Sequence, residues 1–456
     1  MTIKLPPRGQ RSGPIYQAIA DAISREIESG RLKPGGRLPT QRVLARQLGV
    51  TLTTVTRAYV EAQRRGLLNG EVGRGTFVRP TALEIEGPEE GVLDLAVNAI
   101  MPTPYVEELA DRLASAIPRS AAARVFAYQP HAGARHNRAA GAAWIASTGL
   151  DAPVDRTVVT AGGQHAIWLS LLALTSPGDE ILVEAFTYPG ILDLATHLHL
   201  RVRTIPLDKE GLSPDALRAA CVHGKPAALY CVPTFQNPTA SLMSDARRME
   251  IAAIAIEHEL MVIEDDVYGY LVPDVKPLST YLPESRFFYI TSTSKSIAPG
   301  MRIGYVLAPS SMIDRLSIAV LRTLVNAPPA MAELATSLIT DGVAGRIVEW
   351  KRKEIAARQQ IASRVLKGMN VQTHPLSPHA WVTLPEPWQS DAFLSRARHR
   401  GILLTGAESF AVDHETNVQA IRVALGPPST RTALEDGLNE LVRIVNRVPE
   451  AYELVV

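Results

Sequence analysis

The run Thr291-Ser292-Thr293-Ser294-Lys295-Ser296 follows four apolar residues at 287–290, and Arg302 stands seven positions after the lysine. A short apolar run of this kind reads as a buried strand, so the hydroxyls and the lysine arrive together at its end. A lysine held there can form a Schiff base with a carbonyl cofactor, while hydroxyls and an arginine suit a phosphate. A second place fits the same demand: Ala161-Gly162-Gly163-Gln164 leaves an apolar strand pattern and opens an apolar helix, where free N–H groups meet anions. A third, Glu264-Asp265-Asp266-Val267-Tyr268, puts a carboxylate and a phenol three residues apart at a strand end.

With Phe186-Thr187-Tyr188-Pro189-Gly190 and Gln236-Asn237-Pro238-Thr239, these segments resemble, in chain order, the cofactor site of fold-type I pyridoxal-phosphate (PLP) enzymes, the aspartate aminotransferase superfamily. The resemblance implies PLP as cofactor and Lys295 as its covalent anchor and catalytic lysine. It implies Gly163, Gln164, Ser292, Ser294 and Arg302 around the phosphate and Tyr188 stacked on the pyridine ring. Asn237 and Tyr268 are implied on the phenolic oxygen, and Asp265 on the pyridinium nitrogen, where it keeps the ring an electron sink. Asp266 is the competing carboxylate, and the Asp-x-x-Tyr spacing favours Asp265. Arg422, in Ile421-Arg422-Val423-Ala424-Leu425, resembles the arginine that clamps a substrate carboxylate. Tyr128 resembles the tyrosine that reaches the phosphate of the partner subunit, which implies a homodimer. Ala240 departs from the usual glycine after Asn-Pro-Thr. His131, His136 and His165 have no metal-ligand spacing, so no metal is expected.

The elements that must position these residues follow from pattern. From residue 92 onward apolar runs alternate with helical stretches, with candidate strands at 157–160, 180–183, 202–205, 228–232, 261–264, 287–290 and 304–307. That alternation predicts an α/β domain around a mostly parallel sheet, and the resemblance adds a smaller C-terminal α+β subdomain from about 335 to 456. A chain of 456 residues calls for two or three domains, and 46% hydrophobic with 20% charged residues is ordinary for a globular protein. No apolar run reaches the roughly 18 residues that span a bilayer, and the N-terminus lacks a signal-peptide core. Cys221 and Cys231 offer neither a disulfide framework nor zinc spacing, so two reduced thiols and a cytoplasmic setting are expected.

The net charge of +1 conceals an asymmetry: residues 1–80 carry 14 Lys and Arg against 5 Asp and Glu, and the remainder is net negative. A basic block on an acidic body points to a polyanion partner for that block. Within it, Ile15, Ile19, Ala22, Ile23 and Ile27 trace one helix. Thr40 caps a second, and after the Gly49-Val50 turn Thr51 caps a third with Val55, Ala58 and Tyr59 inward. A hairpin ending Gly73-Arg74-Gly75-Thr76-Phe77-Val78 completes a winged helix-turn-helix. Leu38-Pro39-Thr40-Gln41-Arg42-Val43-Leu44-Ala45 and the glycine-rich wing resemble the GntR family of DNA-binding domains. That resemblance places the third helix in the major groove, with Arg42, Thr51, Thr53, Thr54, Arg57 and Arg74 as candidate DNA contacts. Leu52 stands where many relatives carry arginine, leaving an apolar contact to a thymine methyl at that position.

The expected organisation is a head at 1–79, an acidic Gly/Pro-bracketed linker at 80–91 and the PLP-binding body at 92–456. A GntR-like head on an aminotransferase-like body resembles the MocR subfamily of bacterial transcriptional regulators. The resemblance implies a homodimer that binds promoter repeats and senses an amine, an amino acid or PLP itself. The alternative is a working aminotransferase that carries a DNA-binding head.

Overall fold

The computed structural model describes residues 14–28, 32, 38–64, 67–71, 75–78, 92–99, 101, 103–115, 122, 125–413 and 418–447. The chain divides into two compact units, Met1–Glu89 and Glu90–Val456. The expected linker at 80–91 and Arg74 lie outside the described residues.

In the first unit, helices Ile15–Glu28, Gln41–Leu48 and Leu52–Arg64 precede an antiparallel hairpin, Leu68–Glu71 with Gly75–Val78. The helix starts are those the hydroxyls dictate. Thr40 Oγ1 accepts from the Val43 N–H at 3.4 Å, and Thr51 Oγ1 from the Thr54 N–H at 3.3 Å. Gly49 ends the second helix in the left-handed region at φ 64°, the conformation glycine adopts without strain. Ile19, Ile23, Leu44, Val55, Ala58 and Leu68 are buried together, and the Tyr59 hydroxyl donates to the Pro39 carbonyl at 2.6 Å.

In the second unit the seven expected strands form one sheet. Its spatial order is Thr157–Thr160, Gly304–Leu307, Phe287–Ser292, Met261–Asp265, Ala228–Cys231, Glu180–Glu184 and Arg201–Ile205. Gly304–Leu307 runs antiparallel to both neighbours, and the other pairings are parallel. Both faces are covered, which is why the strands read as continuous apolar runs. Leu182, Leu229, Val262 and Tyr289 join one core, while Val183, Tyr230, Ile263 and Phe288 join the other. Parallel strands ending at one edge gather Glu184, Asp265 and Ser292 there, where open α/β sheets bind ligands.

A smaller antiparallel sheet orders Asn370–Gln372, His379–Thr383, Ala420–Ala424 and Thr405–Gly406. Helix Val343–Val365 serves both parts: Ile347 packs in a core of the large sheet and Ile355 in that of the small one. Leu93–Asp94 pairs with Ile402–Leu403, which lays residues 94–98 along the small sheet. The Ala424 N–H donates to the Leu95 carbonyl at 2.9 Å.

The helix Arg135–Ala146 approaches the sheet closely at Gly141, where a Cβ would lie 2.2 Å from Tyr305 Cδ1. Gly141→Ala should therefore cost about 1–3 kcal/mol of stability by overpacking. Chemical denaturation of the full chain measures it, and an unchanged midpoint would refute the tight contact.

Candidate cofactor and ligand site

Lys295 lies in a one-turn helix, Thr293–Ser296, at the end of the strand Phe287–Ser292. Ser292 caps that turn: its Oγ accepts from the Ser294 N–H at 3.2 Å and donates to the Ile303 carbonyl at 3.2 Å. The Lys295 carbonyl is held twice, by the Tyr270 hydroxyl at 2.8 Å and the fully buried Lys351 Nζ at 3.2 Å. Lys351 Nζ also donates to the Ile297 carbonyl at 2.7 Å, and burial lowers its amine to about 7. The Lys295 amine donates to the Asn98 carbonyl. Burial, with Arg422 and Arg302 opposing its charge and Asp265 favouring it, brings that amine down to about 8.

Asp265 and Asp266 point to opposite faces of the strand end. Asp265 Oδ2 accepts from the Tyr230 hydroxyl at 2.8 Å, and Asp266 Oδ2 from the Tyr289 hydroxyl at 2.8 Å. Of the two carboxylates, Asp265 is the one whose charge acts on Lys295. Burial raises its carboxyl to about 6, and its Oδ1 is buried without a partner. A pyridinium N–H would fill that vacant acceptor.

Helix Gly163–Leu174 begins after Gly162, at φ 88°, with no side-chain cap. Its first N–H groups have no intrahelical acceptor. A Cβ at Gly162 would fall 3.1 Å from Arg302 Nη2, so glycine admits the guanidinium. Arg302 itself holds a left-handed backbone at φ 47°, and its Nη1 donates to Ser294 Oγ at 3.4 Å. Tyr188 donates to Gln164 Oε1 at 2.8 Å, and a Cβ at Gly190 would sit 2.5 Å from the Tyr188 ring.

Arg422 comes from the small sheet. Its Nη1 donates to Asn237 Oδ1 at 2.7 Å, its Nη2 to the Ala96 carbonyl, and its Nε is buried without a partner. The guanidinium lies 4.7 Å from the Phe410 ring centroid. Burial lowers it to about 10. Asn237 precedes a cis bond to Pro238, and Ala240 takes φ 61°, the left-handed geometry in which glycine is the usual residue.

The structure thus gathers Lys295, Asp265, Tyr268, Asn237, Arg302, Ser294 and Arg422 with the Gly162 turn and Tyr188. Tyr128 is not among them: it is 90% exposed in its own chain. Several site residues carried no local signal. Asn98 is a single polar residue in the run Leu95-Ala96-Val97-Asn98-Ala99, and its Nδ2 reaches Tyr268 Oη at 2.8 Å. His379, which opens its strand ahead of Ala380-Trp381-Val382, and Glu184, whose burial raises it to about 8, were equally silent. On the head, Arg42, Thr51, Thr53 and Arg57 are exposed, Thr54 is half-buried and bonded to Thr51, and Leu52 is 45% exposed.

Residues 90–441 match the aminotransferase class I and II family, and residues 15–78 match the gntR family of bacterial regulatory proteins. The chain is 31% identical over 439 residues to the HTH-type transcriptional regulator YdeF of Bacillus subtilis, covering 95% of each chain. It is 27% identical to aromatic-amino-acid aminotransferase 1 of Thermococcus litoralis, over 70% of this chain and 80% of the enzyme. Among solved structures, the kynurenine aminotransferase of Pyrococcus horikoshii superposes with TM-score 0.73 at 25% identity, over 84% of this chain and 99% of that one. The fold and the donor set together make PLP the cofactor.

Asp265 gives a test with a definite sign. Its folded pKa lies above the usual 3.8, so ionisation costs stability, absent below about pH 4 and complete above about pH 6. Asp265→Asn should therefore stabilise the cofactor-free protein by about 2–3 kcal/mol at pH 7 and by little at pH 4. It should also weaken PLP binding by at least ~100-fold through loss of the ion pair. Denaturation at both pH values and PLP titration measure this; equal gains at both would refute it.

Proposed function

The chain belongs to the aminotransferase class I and II family in its body and carries a gntR-family head, the pairing of the MocR regulators, and from that premise we propose that the body is a ligand sensor. The ligand is an amino acid or other primary amine, or PLP itself. The observation that carries the reading is Arg422, a buried guanidinium with an unpaired Nε in the same site as the Lys295 amine. A carboxylate partner for Arg422, beside a lysine whose carbonyl cofactor would also condense with other primary amines, describes an amino acid.

Bound PLP supplies an aldehyde that condenses with primary amines and a ring that withdraws electrons. The chain's own residues hold it and choose its partner. With an amine near 8, Lys295 keeps a neutral fraction at neutral pH able to attack a carbonyl. Asp265 Oδ1 receives the ring N–H. Gly163, Gln164, Ser292, Ser294 and Arg302 would hold the phosphate, Tyr188 would stack on the ring, and Asn237 and Tyr268 would donate to the phenolic oxygen. Arg422 takes the ligand carboxylate. Tyr128 serves the phosphate of the second copy in a homodimer, which accounts for its exposure in one chain.

Binding must also be felt outside the site. Ala96 and Asn98 present main-chain carbonyls to Arg422 and Lys295, and ligand groups compete with those carbonyls. These residues follow closely on the linker proposed at 80–91, between a head at 1–79 and a body at 92–456 whose small part begins near 335. A ligand that favours one arrangement of residues 94–98 shifts the population that binds DNA. Arg42, Thr51, Thr53, Thr54, Arg57 and Arg74 make the DNA contacts on promoter repeats, in the cytoplasm.

A second reading, an aminotransferase with a DNA-binding head, draws on the same Lys295 and Asp265. Amino acid plus keto acid separates the two: sustained turnover at about 1 s⁻¹ or more favours the enzyme. A stable spectral change with altered promoter affinity favours the sensor. Arg422→Met should weaken amino-acid ligands by about 10–100-fold and leave amines without a carboxylate within a fewfold, measured by spectral titration. Equal loss for both classes would remove Arg422 from the carboxylate. Arg57→Ala should lower promoter affinity and reduce the salt slope of binding by about 1. A gel shift across salt concentrations checks it; an unchanged slope would take Arg57 off the phosphates.

A further inference from the structure

Beneath Tyr268 lies a buried polar chain whose proton positions can be worked out from its ends. His379 Nε2 sits 2.9 Å from the Gln236 main-chain carbonyl, which can only accept, so the ring proton resides on Nε2. His379 Nδ1 then offers a lone pair, 3.1 Å from Asn98 Nδ2. The other amide hydrogen of Asn98 goes to Tyr268 Oη at 2.8 Å. Both amide hydrogens are spent, and turning the amide over would set its oxygen against the lone pair at Nδ1. Tyr268 Oη is therefore an acceptor in this contact, and its own proton is free to point elsewhere. All three side chains are buried, and burial with Arg422 and Lys295 nearby holds His379 neutral, down to about 3. The donor–acceptor order thus persists across the working pH range.

We infer that His379 and Asn98 are positioning residues that aim the Tyr268 proton into the site, onto the phenolic oxygen of the bound cofactor. The inference rests on the assignment of Tyr268 to that oxygen. The chain begins at a loop that also carries the second donor. Gln236 Nε2 donates to Glu184 Oε2 at 3.1 Å and to the Phe186 carbonyl at 2.6 Å. Its Oε1 accepts from the Thr239 N–H at 2.9 Å and Thr239 Oγ1 at 2.7 Å. Asn237 is the next residue. One anchored loop therefore sets both hydrogen bonds to one oxygen, directly through Asn237 and by three links through His379, Asn98 and Tyr268.

The test uses the full chain loaded with PLP and reads two quantities, the PLP dissociation constant and the pH midpoint of its visible band. A donor on the phenolic oxygen draws off the negative charge that holds the proton shared with the lysine nitrogen. Losing the donor therefore raises the midpoint. Tyr268→Phe should raise it by about 0.5–1 unit and weaken PLP by about 3–10-fold. His379→Phe and Asn98→Leu should reproduce both changes. His379→Gln keeps a donor for Gln236 and an acceptor for Asn98, and should stay near the native values. If Tyr268→Phe moves the midpoint while His379→Phe and Asn98→Leu leave it native, the relay is overturned and the Tyr268 assignment stands. If His379→Gln shifts as far as His379→Phe, the relay is likewise overturned. If Tyr268→Phe changes neither quantity, the assignment and the relay both fall.

Discussion

Lys295 and the buried Arg422 share a site with Arg302, which is exposed in a single chain, and Asp265 is the carboxylate that Lys295 feels. Burial is what pushes the Lys295 amine and the Arg422 guanidinium below their ordinary values, and at Lys295 the charges of Arg422 and Arg302 add to it. Glu184 ends a strand of the same sheet, two places from that of Asp265, but does not repair the balance. Burial raises it to about 8, so at neutral pH it is mostly protonated and serves the Gln236 amide instead. The site is left short of negative charge. A phosphate and a ligand carboxylate are what would restore it, and each has a positioned cation to meet.

That imbalance explains the architecture around it. Parallel strands deliver Asp265 and the lysine turn to one sheet edge, whereas Arg422 arrives from the small antiparallel sheet, whose strand His379–Thr383 faces it in register. The main chain of Lys295 is held by Tyr270 and by Lys351 on the long helix that packs against both cores. Any ligand that touches both cations is therefore bonded to both parts of the body at once. Movement of the small sheet and occupancy of the site become linked quantities.

Much of this was legible in the sequence, for a physical reason in each case. The strands were legible because burial on both faces enforces continuous apolar runs. Asp265 was favoured over Asp266 by the Asp-x-x-Tyr spacing alone; the structure adds that the two side chains leave opposite faces, Asp265 toward Tyr230 and Asp266 toward Tyr289. Lys295 and Arg422 were singled out by the family motifs their segments resemble, and the structure brings the two into one site. Asn98 and His379 were not, since they lie 281 positions apart and neither breaks a local pattern. Long-range polar contacts leave no spacing to read. Tyr128 could be placed in sequence but not in space by one chain, because its proposed site belongs to another copy.

The energetics of sensing constrain which contacts matter. A ligand carboxylate that displaces the Ala96 carbonyl from Arg422 replaces a neutral acceptor with a charged one. Charged hydrogen bonds exceed neutral ones by about 1–2 kcal/mol, roughly a tenfold shift in population. Moving a two-state equilibrium from 1:99 to 99:1 needs about 5.5 kcal/mol of differential affinity. The arginine alone falls short of that. In the proposed sensor the larger share would come from Lys295, whose amine would leave its contact with the Asn98 carbonyl. Because the Asn98 amide also donates to the Tyr268 hydroxyl, a change at the lysine would reach Tyr268 and residues 94–98 through the same residue. The proposed sensor, built this way, would respond weakly to carboxylates alone and strongly to amines that also carry one.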